Sequence, residues 1–421
     1  MTYTIEKVTT LIGARRYGLH DANIGFLLTD SRSLCFPEET LFFALKSGRN
    51  DGHRYIADLY RRGVRNFVVT DVPQSFDTVY PEANFLKVTD TCEALQRLAE
   101  RHRDAFNIPI VGITGSNGKT IVKEWLYQVL SPDRYVTRSP RSYNSQIGVP
   151  LSVWLLNSDS QVGIFEAGIS EPDEMLALRD IIQPTIAVLT NLGQAHQENF
   201  KSMEQKCREK LVLFHDAQTI VYPADDNTVR HVIAESDYRG ERLYWSTTDE
   251  HAPMFVKRIE KHEEATTVTY IYNGAKEQKF SIPFIDDASI EDAIVTAIVA
   301  LRLGVDAKTL ADRMMQLEPV AMRLEVKEGQ HGCTLINDSY NSDINSLDIA
   351  LDFMSRRPDH KGRRRTLILS DIQQSGEEPA ALYREVSDLC VKRGVEKFVG
   401  IGPRISDNAE AIAVREKFFF T

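Results

Sequence analysis

The chain has 421 residues, 42% of them hydrophobic and 26% charged. That is too long for one hydrophobic core and ordinary for a globular protein of two or three domains. A net charge of −10 argues against a general nucleic-acid binder. The one basic run, Lys361-Gly362-Arg363-Arg364-Arg365, precedes a predicted strand and reads as a solvated loop. No apolar run reaches the length of a membrane span, and the N-terminus lacks a charged-then-apolar signal layout. Five dispersed cysteines with no C-x-x-C spacing point to a reducing cytoplasm and offer no zinc site.

Residues 1–106 read as a first unit, with short strands at Leu41–Leu45 and Phe67–Val69 and a helix from Thr91 to Ala105 that carries Leu95 and Leu98 on one side. Asn107-Ile108-Pro109 reads as a linker. From 107 to 320, strand-like runs at Ile108–Ile113, Val162–Glu166, Thr185–Asn191 and Thr219–Tyr222 alternate with helix-like stretches such as Ile121–Leu130, Glu174–Ile182 and Met203–Phe214. This alternation predicts a doubly wound α/β domain with a mostly parallel sheet. Val268, Tyr270 and Tyr272 followed by Asn273-Gly274 read as a hairpin. Ile290, Ala293, Ile294, Ala297, Ile298 and Leu301 then mark a helix that Gly304 closes. A third unit, 321–421, is expected to hold strands at Thr334–Asn337, Arg365–Ser370 and Lys397–Ile401 in a three-stranded parallel sheet. The helix before the last strand presents Leu382, Val386, Leu389 and Cys390 on one face. So small a sheet suggests a domain cut short.

The most informative segment is Thr114-Gly115-Ser116-Asn117-Gly118-Lys119-Thr120, between an apolar strand and a helix. Glycines let backbone N–H groups close on phosphate, and the helix N-terminus adds favourable potential. Lys119 supplies a mobile positive charge for the terminal phosphates, and Thr120 a hydroxyl for Mg²⁺. The match to the general phosphate-loop pattern is partial, because Ile113 stands where its first glycine belongs. Ligands of a doubly wound sheet gather at the carboxyl ends of the strands. Glu166, Asn191 and His196 sit at or just after two such ends. A carboxylate and an imidazole there can hold a divalent cation against substrate phosphates. Lys210, on the predicted helix over 203–214, reads on bare pattern as a surface lysine. Arg323 and Asp338 flank the start of the third unit, as a closure sensor for nucleotide or as an inter-domain ion pair.

These motifs resemble those of the Mur ligase family, from about residue 24 to the end of the chain. Asp30-Ser31-Arg32, Phe43-Ala44-Leu45, Gly48 and Asn50-Asp51-Gly52-His53 resemble the family's UDP-substrate domain. Thr114–Thr120 with Lys123-Glu124 resembles its ATP loop. Tyr143-Asn144 with Ile147-Gly148-Val149-Pro150 resembles a segment near its reaction centre. Glu166-Ala167-Gly168 is similar to its magnesium motif, and Thr190-Asn191 with Ala195-His196 to a nucleotide and second-metal motif. Met322-Arg323-Leu324-Glu325 and Asp338-Ser339-Tyr340-Asn341 resemble C-terminal nucleotide contacts. Asp371 and Gly376-Glu377-Glu378 resemble a motif of the branch that joins D-alanyl-D-alanine to UDP-N-acetylmuramoyl-tripeptide.

The resemblance implies three domains: UDP-substrate binding at 1–106, a central ATP-binding phosphate-loop domain at 107–320, and an incomplete Rossmann-like domain at 321–421. It implies ATP as a substrate, Mg²⁺ held by Thr120, Glu166, His196 and a carbamylated Lys210 (with Lys206 as the alternative), and an acyl-phosphate route to the new amide. Gly115, Ser116, Asn117, Gly118, Lys119, Thr120, Asn191, Arg323 and Asp338 would contact nucleotide, and Ser31, Arg32, Asn50, Asp51, His53 and Asn144 the sugar-peptide substrate. Some members of that branch continue into an alanine racemase, so a racemase fused beyond 421 is a further expectation. The chain also departs from the family pattern. Ser142, Ser145 and Gln146 differ in the Tyr143-Asn144 segment, Ser289 and Asp292 replace two asparagines expected near adenine, and Ile344-Asn345 replaces Pro-Asp. Another Mur ligase, a folylpolyglutamate synthase-like ligase or a non-catalytic nucleotide-binding module are the competing readings.

Overall fold

The computed structural model describes residues 2–48, 50–193, 197–321, 325–339, 343–356, 364–372 and 378–421. The chain divides into two compact units. Met1–Gly112, Tyr135–Ala167 and Leu176–Pro184 form one, and Ile113–Arg134, Gly168–Met175 and Thr185–Thr421 the other.

In the first unit, α1 (Ile5–Ile12) starts at Thr4, whose hydroxyl accepts from the Lys7 N–H, and stops at Gly13 with φ +66°. Five strands follow, β1 (Arg15–Tyr17), β2 (Phe26–Leu28), β3 (Thr40–Phe43), β4 (Asn66–Val69) and β5 (Asn84–Lys87), in the order β1-β5-β4-β3-β2. Only the β1–β5 pair is antiparallel. Successive strand residues face opposite ways, so Leu41, Phe43, Val68 and Leu86 pack with α1 and with α2 (Thr91–Arg103). Phe42, Phe67, Val69 and Phe85 pack on the other face with Ile56 and Leu59. A sheet covered on both sides needs unbroken apolar runs, which is how β3 and β4 were legible.

A nine-stranded sheet has the order β7-β8-β6-β9-β10-β11-β12-β13-β14. Its members are β6 (Ile110–Thr114), β7 (Val136–Arg138), β8 (Val162–Glu166), β9 (Ile186–Leu189), β10 (Thr219–Pro223), β11 (Glu241–Ser246), β12 (Met254–Lys261), β13 (Thr266–Tyr272) and β14 (Gln278–Ile282). The expected hairpin is there: β13 and β14 pair antiparallel, and Asn273 and Gly274 take left-handed φ values of 48° and 68°. Around the strands run α3 (Lys119–Leu130), α4 (Glu174–Ile182), α5 (Met203–Leu211) and α6 (Asp287–Arg302). The C-terminal part differs from expectation. β15 (Glu325–Glu328) and β16 (Thr334–Asn337) form a separate antiparallel ribbon, so the strand expected at 334–337 is not in the parallel sheet. That sheet consists of β17 (Thr366–Ser370), β18 (Lys397–Ile401) and the unforeseen β19 (Glu416–Phe420), with α7 (Ile344–Arg356) and α8 (Pro379–Lys392) contributing to its core. A four-residue pairing partner only five residues away outcompetes a distant parallel one, because closing the shorter loop costs less entropy.

One buried polar cluster inside the first unit has a measurable consequence. His102 is fully buried, with Nε2 3.0 Å from the Leu156 carbonyl and Nδ1 2.9 Å from the Tyr3 hydroxyl. A carbonyl only accepts, so Nε2 carries the proton and Nδ1 accepts from Tyr3. The rings of Tyr3 and Trp154 pack against it at 5.6 and 4.6 Å. Burial depresses the His102 pKa from 6.5 to about 4. The folded state therefore disfavours the charged ring that the unfolded chain acquires below pH 6.5. Stability is full above that pH, falls by up to about 3 kcal/mol as the pH drops to about 4, and changes no further below it. Urea denaturation followed by Trp fluorescence at a series of pH values should show this loss, and His102→Gln should flatten it.

Candidate active site at the phosphate loop

The loop lies where the sequence placed it. β6 is buried throughout, and α3 begins at Lys119 with Gly118 as its N-cap. Gly115 and Gly118 adopt φ of +145° and +81°. A Cβ on Gly115 would lie 2.0 Å from Thr190 Oγ1, and one on Gly118 2.1 Å from Asp292 Oδ1. Both positions thus exclude any larger residue by backbone strain and by contact. Lys119 curls back over the loop, donating to the Gly115 and Ser116 carbonyls at 2.8 and 3.1 Å. Thr120 is buried in the first turn of α3.

The chain after β9 braces this loop. Ser116 N–H donates to Asn191 O at 3.1 Å, and Asn117 N–H to Asn191 Oδ1 at 2.9 Å. Thr190 Oγ1 donates to the Asn117 carbonyl. Ser116 Oγ accepts from Gly193 N–H at 2.8 Å and lies 3.0 Å from Gly193 O. Asn191 is therefore a brace of the loop in this structure. Helix α5 turns Lys206, Cys207 and Lys210 inward. Lys206 is buried and donates to Gly193 O at 2.6 Å. Lys210 is buried too and donates to Gly115 O at 3.2 Å, sharing that acceptor with Lys119. The surface reading of Lys210 is thus overturned. Burial, and then the charges of Lys119 and Lys206, push the Lys210 pKa well below its ordinary value. Burial likewise lowers Lys206 to about 8, with Asp343 opposing and Lys119 reinforcing the shift.

Other expected residues lie as follows. Glu166 ends β8, fully buried, and its N–H donates to Ser139 Oγ at 3.2 Å. Asp338 is half-buried just after β16. His196 and Arg323 lie outside the described residues. Asn144 is half-buried in the turn before a short helix, Gly148–Val153. Ser31 offers its carbonyl to Arg62 at 2.7 Å, and Arg32 pairs with Asp30 at 2.6 Å in solvent. Asp51, next to Asn50, accepts from His53 Nδ1 at 2.7 Å, while His53 Nε2 accepts from the Thr70 N–H at 3.1 Å. That backbone donor fixes the His53 tautomer, so Asp51 and His53 form a polar pair at the end of β4, while Asn50 Oδ1 accepts from the Tyr55 hydroxyl at 3.4 Å. Sequence reasoning missed Asp343 and Ser346 at the N-terminus of α7, of which Ser346 reaches the loop. Ser346 Oγ lies 3.4 Å from Asn117 Oδ1. Their capping pattern, Asp343-x-x-Ser346, was the available signal.

A strand, a glycine loop, a helix and a basic cluster around the loop's carbonyls define a phosphate-loop nucleotide-binding α/β protein. The Mur ligase middle domain matches residues 113–300. A Bacillus subtilis protein, the UDP-N-acetylmuramoyl-tripeptide–D-alanyl-D-alanine ligase, is 25% identical over 85% of this chain and 75% of its own length. Among solved structures, MurF from Acinetobacter baumannii superposes with a TM-score of 0.84 at 21% identity, covering 100% of this chain and 90% of that one. MurF from Thermotoga maritima in complex with ADP gives 0.76 at 22% identity, covering 94% and 88%. Residues 113–300 therefore form a domain of the Mur ligase family.

Replacing Gly118 with Ala should leave a folded chain with an impaired loop. The left-handed backbone alone costs a non-glycine residue about 1–2 kcal/mol, so Mg-ADP affinity by calorimetric titration should fall about tenfold or more.

Proposed function

We propose that this chain is an ATP-dependent, ADP-forming ligase that joins D-alanyl-D-alanine to UDP-N-acetylmuramoyl-tripeptide in the cytoplasm, a step in peptidoglycan precursor synthesis. The observation that carries the reading is the convergence of the Lys119 and Lys210 amines on the Gly115 carbonyl of the phosphate loop. The names of the matched relatives and the ADP bound in the Thermotoga neighbour support it. Those relatives are named as ligases, and nothing in them speaks for a fused racemase. No described helix is long and apolar enough to cross a membrane. In this reading residues 1–106 bind the sugar nucleotide, 107–320 bind ATP, and 321–421 belong to the ligase domain.

The tripeptide carboxylate attacks the γ-phosphorus of ATP, the bond to the bridging oxygen breaks, and ADP leaves. The amine of D-alanyl-D-alanine then attacks the acyl carbon and phosphate departs. Loop N–H groups other than those of Ser116 and Asn117, which Asn191 holds, bind the phosphates, and Lys119 releases its carbonyls to neutralise charge on the group in transfer. Asn191, Arg323 and Asp338 complete the nucleotide contacts. Ser31, Arg32, Asn50, Asp51, His53 and Asn144 receive the sugar-peptide. Low basicity suits Lys210 to carbamylation: a neutral amine attacks CO₂, an N–C bond forms, and a proton is lost. In this reading Thr120, Glu166, His196 and the carbamate of Lys210 would hold Mg²⁺, the oxygens as hard donors and the imidazole as a borderline one. When bound, Mg²⁺ supplies positive charge to the phosphoryl group.

ADP release should require both the UDP-tripeptide and D-alanyl-D-alanine, and a coupled assay omitting each in turn tests this. Release indifferent to both would refute the ligase reading, and a preference for another amino acid as acceptor would move the chain to a different branch. Lys210→Met should lower turnover about 10²–10³-fold, with partial recovery on adding a short-chain carboxylate.

A further inference from the structure

We propose that Lys206 is a positioning residue that ties the segment after β9 and the first turn of α7 to the phosphate loop. The inference rests on the nucleotide reading of that loop and extends it to residues for which the reading has no role. The geometry is a closed set of contacts. Lys206 is fully buried, and its amine donates to Gly193 O at 2.6 Å. Gly193 N–H in turn donates to Ser116 Oγ at 2.8 Å. Gly193 is therefore gripped from two sides, and it leads directly into the segment that carries His196.

Asp343 is the carboxylate whose charge acts on Lys206. It also caps α7, accepting from Ser346 N–H at 3.0 Å and from Ser346 Oγ at 2.6 Å. The same Ser346 oxygen lies 3.4 Å from Asn117 Oδ1. A hydroxyl has one proton, and Asp343 holds the shorter contact. With the Asn117 amide in its other orientation, Nδ2 donates to the Ser346 oxygen, and a relay Asn117 to Ser346 to Asp343 results. Asn117 is held through its N–H by Asn191 and through its carbonyl by Thr190. The first turn of α7 thus meets Asn117 of the loop, and the carboxylate that organises that turn acts on Lys206 through its charge.

This role differs from that of Lys210. A carbamylated Lys206 would surrender the ammonium that holds Gly193, so the two lysines divide the work: Lys210 becomes a metal ligand and Lys206 keeps its amine. A charged hydrogen bond of this kind corresponds to about a tenfold effect.

The test uses the full-length protein and the variants Lys206→Met, Asp343→Asn and Ser346→Ala, with Ser346→Thr as the conservative control. Three quantities are measured: KM for ATP against kcat, the Kd for Mg-ADP, and amide hydrogen exchange over residues 344–350 with and without Mg-ADP. Lys206→Met should raise KM and Kd about tenfold while kcat falls less. Asp343→Asn and Ser346→Ala should act in the same direction, and the Lys206→Met/Asp343→Asn double variant should be no worse than Lys206→Met, because both break one device. Exchange in the first turn of α7 should quicken in all three, and Ser346→Thr should behave as the parent. Additive effects, unchanged exchange, or a Lys206→Met chain with normal KM and no turnover would overturn the proposal, the last by making Lys206 the metal-binding lysine. If Lys206→Met does not fold, Asp343→Asn and Ser346→Ala decide by the same readouts. If the parent chain fails to bind Mg-ADP, the ligase reading falls, and exchange in the nucleotide-free chain still decides the positioning role.

Discussion

Hydrogen bonds between the phosphate loop and the segment Thr190–Gly193 are the constraint on which the site depends. A phosphate loop must hold its backbone N–H groups in one shape, and its own Lys119, bonded to the Gly115 and Ser116 carbonyls, does part of this. Here Asn191 takes two of those N–H groups, Thr190 takes the Asn117 carbonyl, and Ser116 exchanges contacts with Gly193. The partners all come from the end of one neighbouring strand, so the loop's shape is set by the sheet. Preorganisation of this kind spares the nucleotide the cost of ordering the loop when it binds.

The second theme is crowding of positive charge. Lys119, Lys206 and Lys210 crowd around the loop: Lys119 lowers the basicity of Lys206, and both lower that of Lys210. Carbonyl oxygens of Gly115, Ser116 and Gly193 offset part of this, and Asp343 offsets more at Lys206. Such an arrangement is uncomfortable without a polyanion and relaxed with one. It also sorts the amines by task. Lys119, on the loop itself, can exchange the Gly115 and Ser116 carbonyls for phosphate, whereas burial and two neighbouring amines disfavour the charged form of Lys210.

Much of this was legible in the sequence because it rests on local rules. Gly115 and Gly118 need φ values that only glycine takes easily, so the loop announced itself. Strands such as Leu41–Phe43 and Phe67–Val69 are covered on both faces and read as continuous apolar runs. What escaped notice was set by distant partners. Lys210 has the look of any helical lysine until α5 is seen to turn its inner face on Gly115. Asp343 and Ser346 gain meaning only from meeting Lys206 and Asn117, which are more than a hundred residues away. The ribbon β15–β16 reflects a competition between near and far partners that periodicity cannot judge.

The contrast between two buried clusters has a practical consequence. Tyr3, His102 and Trp154 join their part of the first unit through neutral groups alone. Dissolved ions screen charges and leave such contacts almost untouched. The amines around the phosphate loop are the opposite case, since an anion from the medium can partly satisfy them. A buffer rich in sulfate or phosphate will therefore act selectively, competing at the loop while the aromatic junction stays indifferent to ionic strength.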